Sequence, residues 1–88
     1  MAKDIRVNMV AADREIWSGE ASMVIAKTSV GEIGLLAGHE PMLAILVPGE
    51  IRITQADGSK VVATSEEGGF LSMEHDTVTV VVRDASLS

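Results

Sequence analysis

Apolar residues in this chain recur at every second position, and turn residues interrupt them at short intervals. Period-two patterning buries one face of an extended strand, whereas a helix needs apolar residues three and four apart. The chain therefore reads as all-β. Thr77 to Val82 shows the pattern most plainly, with Val78, Val80 and Val82 set against Thr77, Thr79 and Val81, and Ile5 to Val10 repeats it. Further strands are expected over Arg14 to Ser18, Glu20 to Thr28, Ile33 to Leu36, Met42 to Val47, Glu50 to Gln55, Lys60 to Thr64 and Phe70 to Met73. Between them, Ala12-Asp13 predicts a turn and Gly19 a bend or bulge. Pro48-Gly49 fits a type II turn that reverses the chain. Asp57-Gly58 fits a two-residue type I′ hairpin, Gly68-Gly69 separates two strands, and His75-Asp76 turns into the last one. Asp84 to Ser88 reads as a frayed tail. Eight or nine strands at this spacing predict a small two-sheet β-sandwich or flattened barrel, in one domain over residues 1–88.

One segment breaks the alternation. Met42, Leu43, Ala44, Ile45, Leu46 and Val47 are all apolar. If Leu43, Ile45 and Val47 face the core, Met42, Ala44 and Leu46 form an outward strip. Left wet, that strip forgoes about 1.5–3 kcal/mol for each of its two large side chains. Either a loop folds over it or a partner covers it.

Composition narrows the function. A chain of 88 residues removes only about 60–65% of its unfolded surface from water, so its core is thin. With no cysteine, neither disulfides nor a thiolate zinc site can reinforce it. Trp17 and Phe70 are the only aromatics, which leaves Val, Ile, Leu and Met to fill the interior. The net charge of −6 argues against a nucleic-acid partner, which demands a basic footprint. The opening MAKDIRVNMV lacks the apolar stretch of a secretory signal. No apolar run approaches the roughly 20 residues of a spanning helix. A soluble, cytosolic protein is expected.

Catalytic signals are weak. His39 and His75 are the only imidazoles, each beside an acid (Glu40 and Asp76), and both read as polar turn residues. Imidazoles so far apart, without cysteine or a tight carboxylate cluster, match no zinc spacing. Glu66-Glu67 reads as a solvated turn. Gly31-Glu32-Ile33-Gly34 superficially matches a nucleotide-clamping GxxG loop, but its interior is acidic and its flanks are strands. No Gly-Lys-Ser/Thr follows, so it is not a P-loop either. What remains is an interaction module: a glycine-rich loop carrying Glu32 beside an apolar strip.

The order and spacing of Gly31-Glu32-Ile33-Gly34-Leu35-Leu36, Gly38-His39-Glu40-Pro41-Met42-Leu43 and Pro48-Gly49 closely resemble the N-terminal domain of the ATP synthase epsilon-chain family. Gly68-Gly69-Phe70-Leu71 with Val78-Thr79-Val80, and the opening block around Trp17-Ser18-Gly19-Glu20, extend the resemblance from about Ile5 to Asp84. It implies a ten-stranded β-sandwich in the central stalk, a noncatalytic rotor subunit that links gamma to the c-ring and couples proton movement to ATP synthesis. It implies no cofactor, catalytic residue or metal. The expected location is the cytoplasmic side of the bacterial plasma membrane, peripheral, without membrane insertion. By the same resemblance Ser29, Gly31, Glu32 and Ile33 face the c-ring, and His39, Met42, Ala44 and Leu46 face gamma. Glu67 stands where the family often has serine. Most epsilon chains continue into two helices, and this chain stops at Ser88, so the properties of those helices are not carried over. The rival reading is a lipoyl or biotinyl carrier domain modified at Lys60.

Overall fold

The computed structural model describes residues 4–11 and 14–87. The described residues form eight strands: β1 (Ile5–Ala11), β2 (Arg14–Thr28), β3 (Gly31–Leu35), β4 (Met42–Gln55), β5 (Lys60–Ser65), β6 (Gly69–Glu74), β7 (Thr77–Val82) and β8 (Ser86–Leu87). They join in the order β3-β2-β1-β7-β6-β4-β5-β8, and a further β2–β4 ladder closes the sheet into a flattened barrel. Only the β1–β7 pairing is parallel among the described residues. The expected turn at Ala12-Asp13 lies outside them.

Two long strands explain how one sheet makes two layers. The first part of β2 pairs with β1, from Arg14↔Ala11 to Ala21↔Ile5, and its second part pairs with β3 and β4. In β4, Met42 to Leu46 pair with β6, and Gly49 to Thr54 pair with β5. Counting each half separately gives ten strand segments, the number the family resemblance implies, with β8 as the one that the residue pattern did not show. Pro48-Gly49 is therefore not a reversal: the strand continues through it, with Gly49 at φ 151°, and passes from one layer to the other. Glycine supplies that corner because a side chain is disfavoured there. The strand break expected at Gly19 is also absent. The irregularity in that ladder sits between Met9 and Val10, where Met9 faces Trp17 and Val10 faces Glu15.

The corner changes which residues point inward. Along β4 the alternating inward positions are Met42, Ala44 and Leu46 before it, with Val47 also half-buried next to the corner, then Ile51 and Ile53 after it. Parity switches at the corner, so the arrangement with Leu43 and Ile45 facing the core and Met42, Ala44 and Leu46 facing out does not hold. Leu46 is 4% exposed, while Leu43 is 75% and Ile45 66% exposed. The outward strip is thus the complement of the one expected.

Ile5, Val7, Met9, Val24, Ile53, Leu71, Met73, Val78 and Val80 build the core, and Trp17 packs on it half-buried. Phe70, the other aromatic, lies outside, 50% exposed. The supposed tail is docked: Ala85 is buried, Ser86 and Leu87 pair with Thr64 and Ala63, and Arg14 holds Asp84 at 3.3 Å.

Turn chemistry differs from expectation in a related way. Around Asp57-Gly58, Gly58 N–H donates to the Gln55 carbonyl at 2.9 Å and Gln55 N–H to the Ser59 carbonyl at 2.7 Å. Gly58 has positive φ and Asp57 does not, the signature of a three-residue loop with a glycine bulge. Both central residues are instead left-handed at His75 (φ 51°) and Asp76 (φ 57°), so the I′-like hairpin falls there.

Candidate docking surfaces

Register places an apolar band across one outward face. Ile45 of β4 lies opposite Phe70 of β6, Phe70 opposite Val81 of β7, and Val81 opposite Val10 of β1. Leu43 extends the band beside Ser72. Beyond Phe70 the surface dips into a groove of about 420 Å³ lined by Glu67, Gly68, Gly69, Phe70, Val81, Val82 and Arg83. Gly69 is required on its wall, because a Cβ there would collide with the Val81 carbonyl. Arg83 bridges to Glu67 at 3.4 Å on its rim. The turn entering β6 is held by Ser65, not by residue 67: Ser65 Oγ accepts from Gly68 N–H at 3.0 Å and donates to the Gly68 carbonyl at 3.3 Å.

A second surface is the β2–β3 hairpin. Ser29 and Val30 form its tip, and Val30 is 89% exposed. Buried Thr28 fixes the tip, its Oγ1 accepting from Val30 N–H at 3.2 Å and donating to the Gly31 carbonyl at 2.7 Å. Of the expected c-ring residues, Ser29, Gly31 and Glu32 are exposed and Ile33 packs half-buried against the core. Glu32 faces Lys27 across the ladder. The hairpin tip is tied to the apolar band directly, because Ser29 N–H donates to the Ile45 carbonyl at 3.0 Å.

The expected gamma residues divide. His39 is exposed in the loop between β3 and β4, where its Nδ1 is 2.8 Å from the Glu40 carbonyl. Met42 and Ala44 are half-buried on the inward side and Leu46 is buried, which removes Leu46 as an exposed contact. The sequence reading missed Leu43, Ile45 and Phe70. The isolated phenylalanine in a glycine-flanked strand was the available signal for the last.

Among the described residues no nucleophile is hydrogen-bonded to either imidazole. His75 Nε2 lies 3.4 Å from Glu74, and Thr77 donates only to the His75 backbone carbonyl. Among the described residues no cluster of three His, Cys, Asp or Glu is placed to hold a metal. Lys60 begins strand β5 opposite Thr54, outside the hairpin loop.

These features define a small all-β docking domain, with one apolar face and one projecting hairpin. The chain belongs to the family described as ATP synthase, Delta/Epsilon chain, beta-sandwich domain, whose model matches residues 4–88. It is 44% identical over 88 residues to the ATP synthase epsilon chain of Streptomyces coelicolor, covering all of this chain and 70% of that one. Its identity to the Micrococcus luteus epsilon chain is 46% over 84 residues, 96% of this chain and 91% of that one. A chain in the cryo-EM structure of the Euglena gracilis mitochondrial ATP synthase, OSCP/F1/c-ring, superposes with a TM-score of 0.89 at 26% identity. That match covers 96% of this chain and 53% of the other, so this chain spans about half its length. A chain from the Tetrahymena thermophila central stalk/c-ring structure shares the fold, at a TM-score of 0.71 and 18% identity over 97% of this chain and 67% of that one.

Proposed function

We propose that the apolar band binds the gamma subunit and that the β2–β3 hairpin meets the c-ring. The broader role follows from the family and its relatives: the chain is a noncatalytic rotor subunit of the ATP synthase central stalk, peripheral to a membrane-embedded ring. This assignment displaces the carrier-domain reading at Lys60. In the finer reading the domain links gamma to the ring on the cytoplasmic side of a bacterial plasma membrane and couples proton translocation to ATP synthesis.

The observation that carries the reading is the exposure of Leu43, Ile45 and Phe70 together on adjacent strands. Each large side chain left in water forgoes about 1.5–3 kcal/mol, which a buried interface core returns. His39 stays in the proposed contact, and Leu43 and Ile45 take the place of Met42, Ala44 and Leu46. Ser29, Gly31 and Glu32 stay with the ring, where an exposed pair made by Glu32 contributes only about 0–1 kcal/mol. Rigid transmission comes from the hairpin tip, bonded through Ser29 N–H to the strand that carries Ile45.

The test is a Leu43→Asp/Ile45→Asp double variant. Removing two central apolar contacts and burying charge weakens gamma binding by more than about 30-fold, while the circular dichroism spectrum and unfolding midpoint stay close to wild type. It also fails to restore coupled ATP synthesis to epsilon-depleted membranes. A folded double variant that still copurifies with gamma overturns the reading.

A further inference from the structure

We propose that Asp76 is a positioning residue that sets the loop carrying His39. The inference rests on the gamma-binding reading for its functional consequence, and on the geometry below for the positioning itself.

The loop between β3 and β4 spans residues 36–41 and leads into Leu43 and the apolar band. Its internal hydrogen bonding includes a single turn, His39 N–H to the Leu36 carbonyl at 3.2 Å. The long-range tie is made from the opposite side: Gly38 N–H donates to Asp76 Oδ1 at 2.8 Å, across 38 positions of sequence. The Asp76 carbonyl meanwhile accepts from Arg6 N–H at 2.9 Å. One residue therefore fastens the β6–β7 turn to the first strand and to the His39 loop. The turn and the loop lie at the same end of the band, since Met42 pairs with Met73 and Glu74 with Thr77.

The backbone at this position makes the role separable from folding. Asp76 is left-handed at φ 57°, a conformation glycine adopts freely and asparagine tolerates. Asp76→Gly relieves the backbone and deletes the acceptor. Asp76→Asn keeps both an acceptor oxygen and a tolerant backbone. Stability and positioning are thus expected to move independently.

The experiment measures amide exchange at Gly38, the unfolding midpoint and affinity for purified gamma in wild type and both variants. In Asp76→Gly the midpoint is held or raised, Gly38 exchange accelerates about tenfold as its hydrogen bond is lost, and gamma binding weakens about threefold to tenfold. Asp76→Asn restores exchange and binding. Unchanged Gly38 exchange in Asp76→Gly overturns the proposal, as does faster exchange with unaltered gamma affinity, or an asparagine variant as impaired as glycine. If wild type itself does not bind gamma while Gly38 responds as described, the partner reading fails and the positioning stands.

Discussion

The two halves of β4 present opposite kinds of surface although they belong to one strand. Before Pro48-Gly49 its outward residues are Leu43 and Ile45; after it they are Glu50 and Arg52. The neighbours follow suit. Phe70 and Val81 lie in line with Ile45; after the corner the match is partial, since half-buried Ile25 and Val62 flank Arg52 while Lys27 and Glu32 face each other one step along. Both halves bury an equivalent inward row, so the core does not require the difference. The charged half is what a solvated sheet face looks like, with Arg52 and Glu50 3.4 Å apart and both about half exposed. The apolar half is in the wrong solvent until something covers it. On the proposed reading, assembly rather than folding accounts for that asymmetry.

Neighbouring residues in the apolar half give the sharpest way to break this comparison. Leu46 and Ile45 are adjacent in sequence and similar in size, but one lies inside and the other outside. Leu46→Ala opens a cavity and lowers unfolding free energy by about 2–5 kcal/mol, whereas Ile45→Ala changes it by within about 0.5 kcal/mol. Urea denaturation of the two variants, read at constant slope, checks the contrast. Equal losses would mean that the parity switch at the corner is misplaced and the apolar band with it.

The charged half supplies the control. Lys27→Glu and Arg52→Glu each invert a charge on an exposed ladder, and the expected stability change is about 0–1 kcal/mol. Raising the salt concentration shrinks it further, since these charges are screened. Gamma affinity stays at the wild-type level in both. A loss of gamma binding as large as that of the Leu43→Asp/Ile45→Asp variant would erase the distinction between the faces.

Local chemistry made much of the fold legible. Alternation in Thr77 to Val82 and Ile5 to Val10 fixed two strands to within a residue, and the β-branched runs placed most of the others. Corners were not legible, because Pro48-Gly49 has the same local preference whether the chain reverses or bends across a barrel edge; long-range pairing with β2, β5 and β6 decides. The same ambiguity inverted the outward strip, since a one-residue slip sends every side chain to the other face. Asp57-Gly58 fitted a I′ turn, yet that conformation went to His75-Asp76, where contacts to Arg6 and Gly38 hold it. A segment with apolar residues on both faces was visible as broken alternation; which of its side chains lie outside was not.

Hairpin aspartates at the two ends sharpen the comparison at its smallest scale. Asp76, beside the apolar half, reaches across the molecule, whereas Asp57, beyond the charged half, bonds only within its own loop. Ser59 Oγ donates to Asp57 Oδ1 at 2.6 Å and Ser59 N–H donates to it at 2.9 Å. The hydroxyl first, then the amide, hold the Asp57 carboxyl below its ordinary value of 3.8. Because the folded form prefers the carboxylate, this loop contributes its stability above about pH 3.8 and loses it as pH falls from there through the depressed folded value. Ser59→Ala removes the stronger donor, so the Asp57 titration, followed by carboxyl NMR, moves back up toward 3.8 and the acid-side loss shrinks. The exposed position keeps the effect on the unfolding midpoint small, and Gly38 exchange at the far end stays as in wild type. A change at Gly38 on substituting Ser59 would show that the two ends communicate through β4, and the halves of that strand would no longer be independent surfaces.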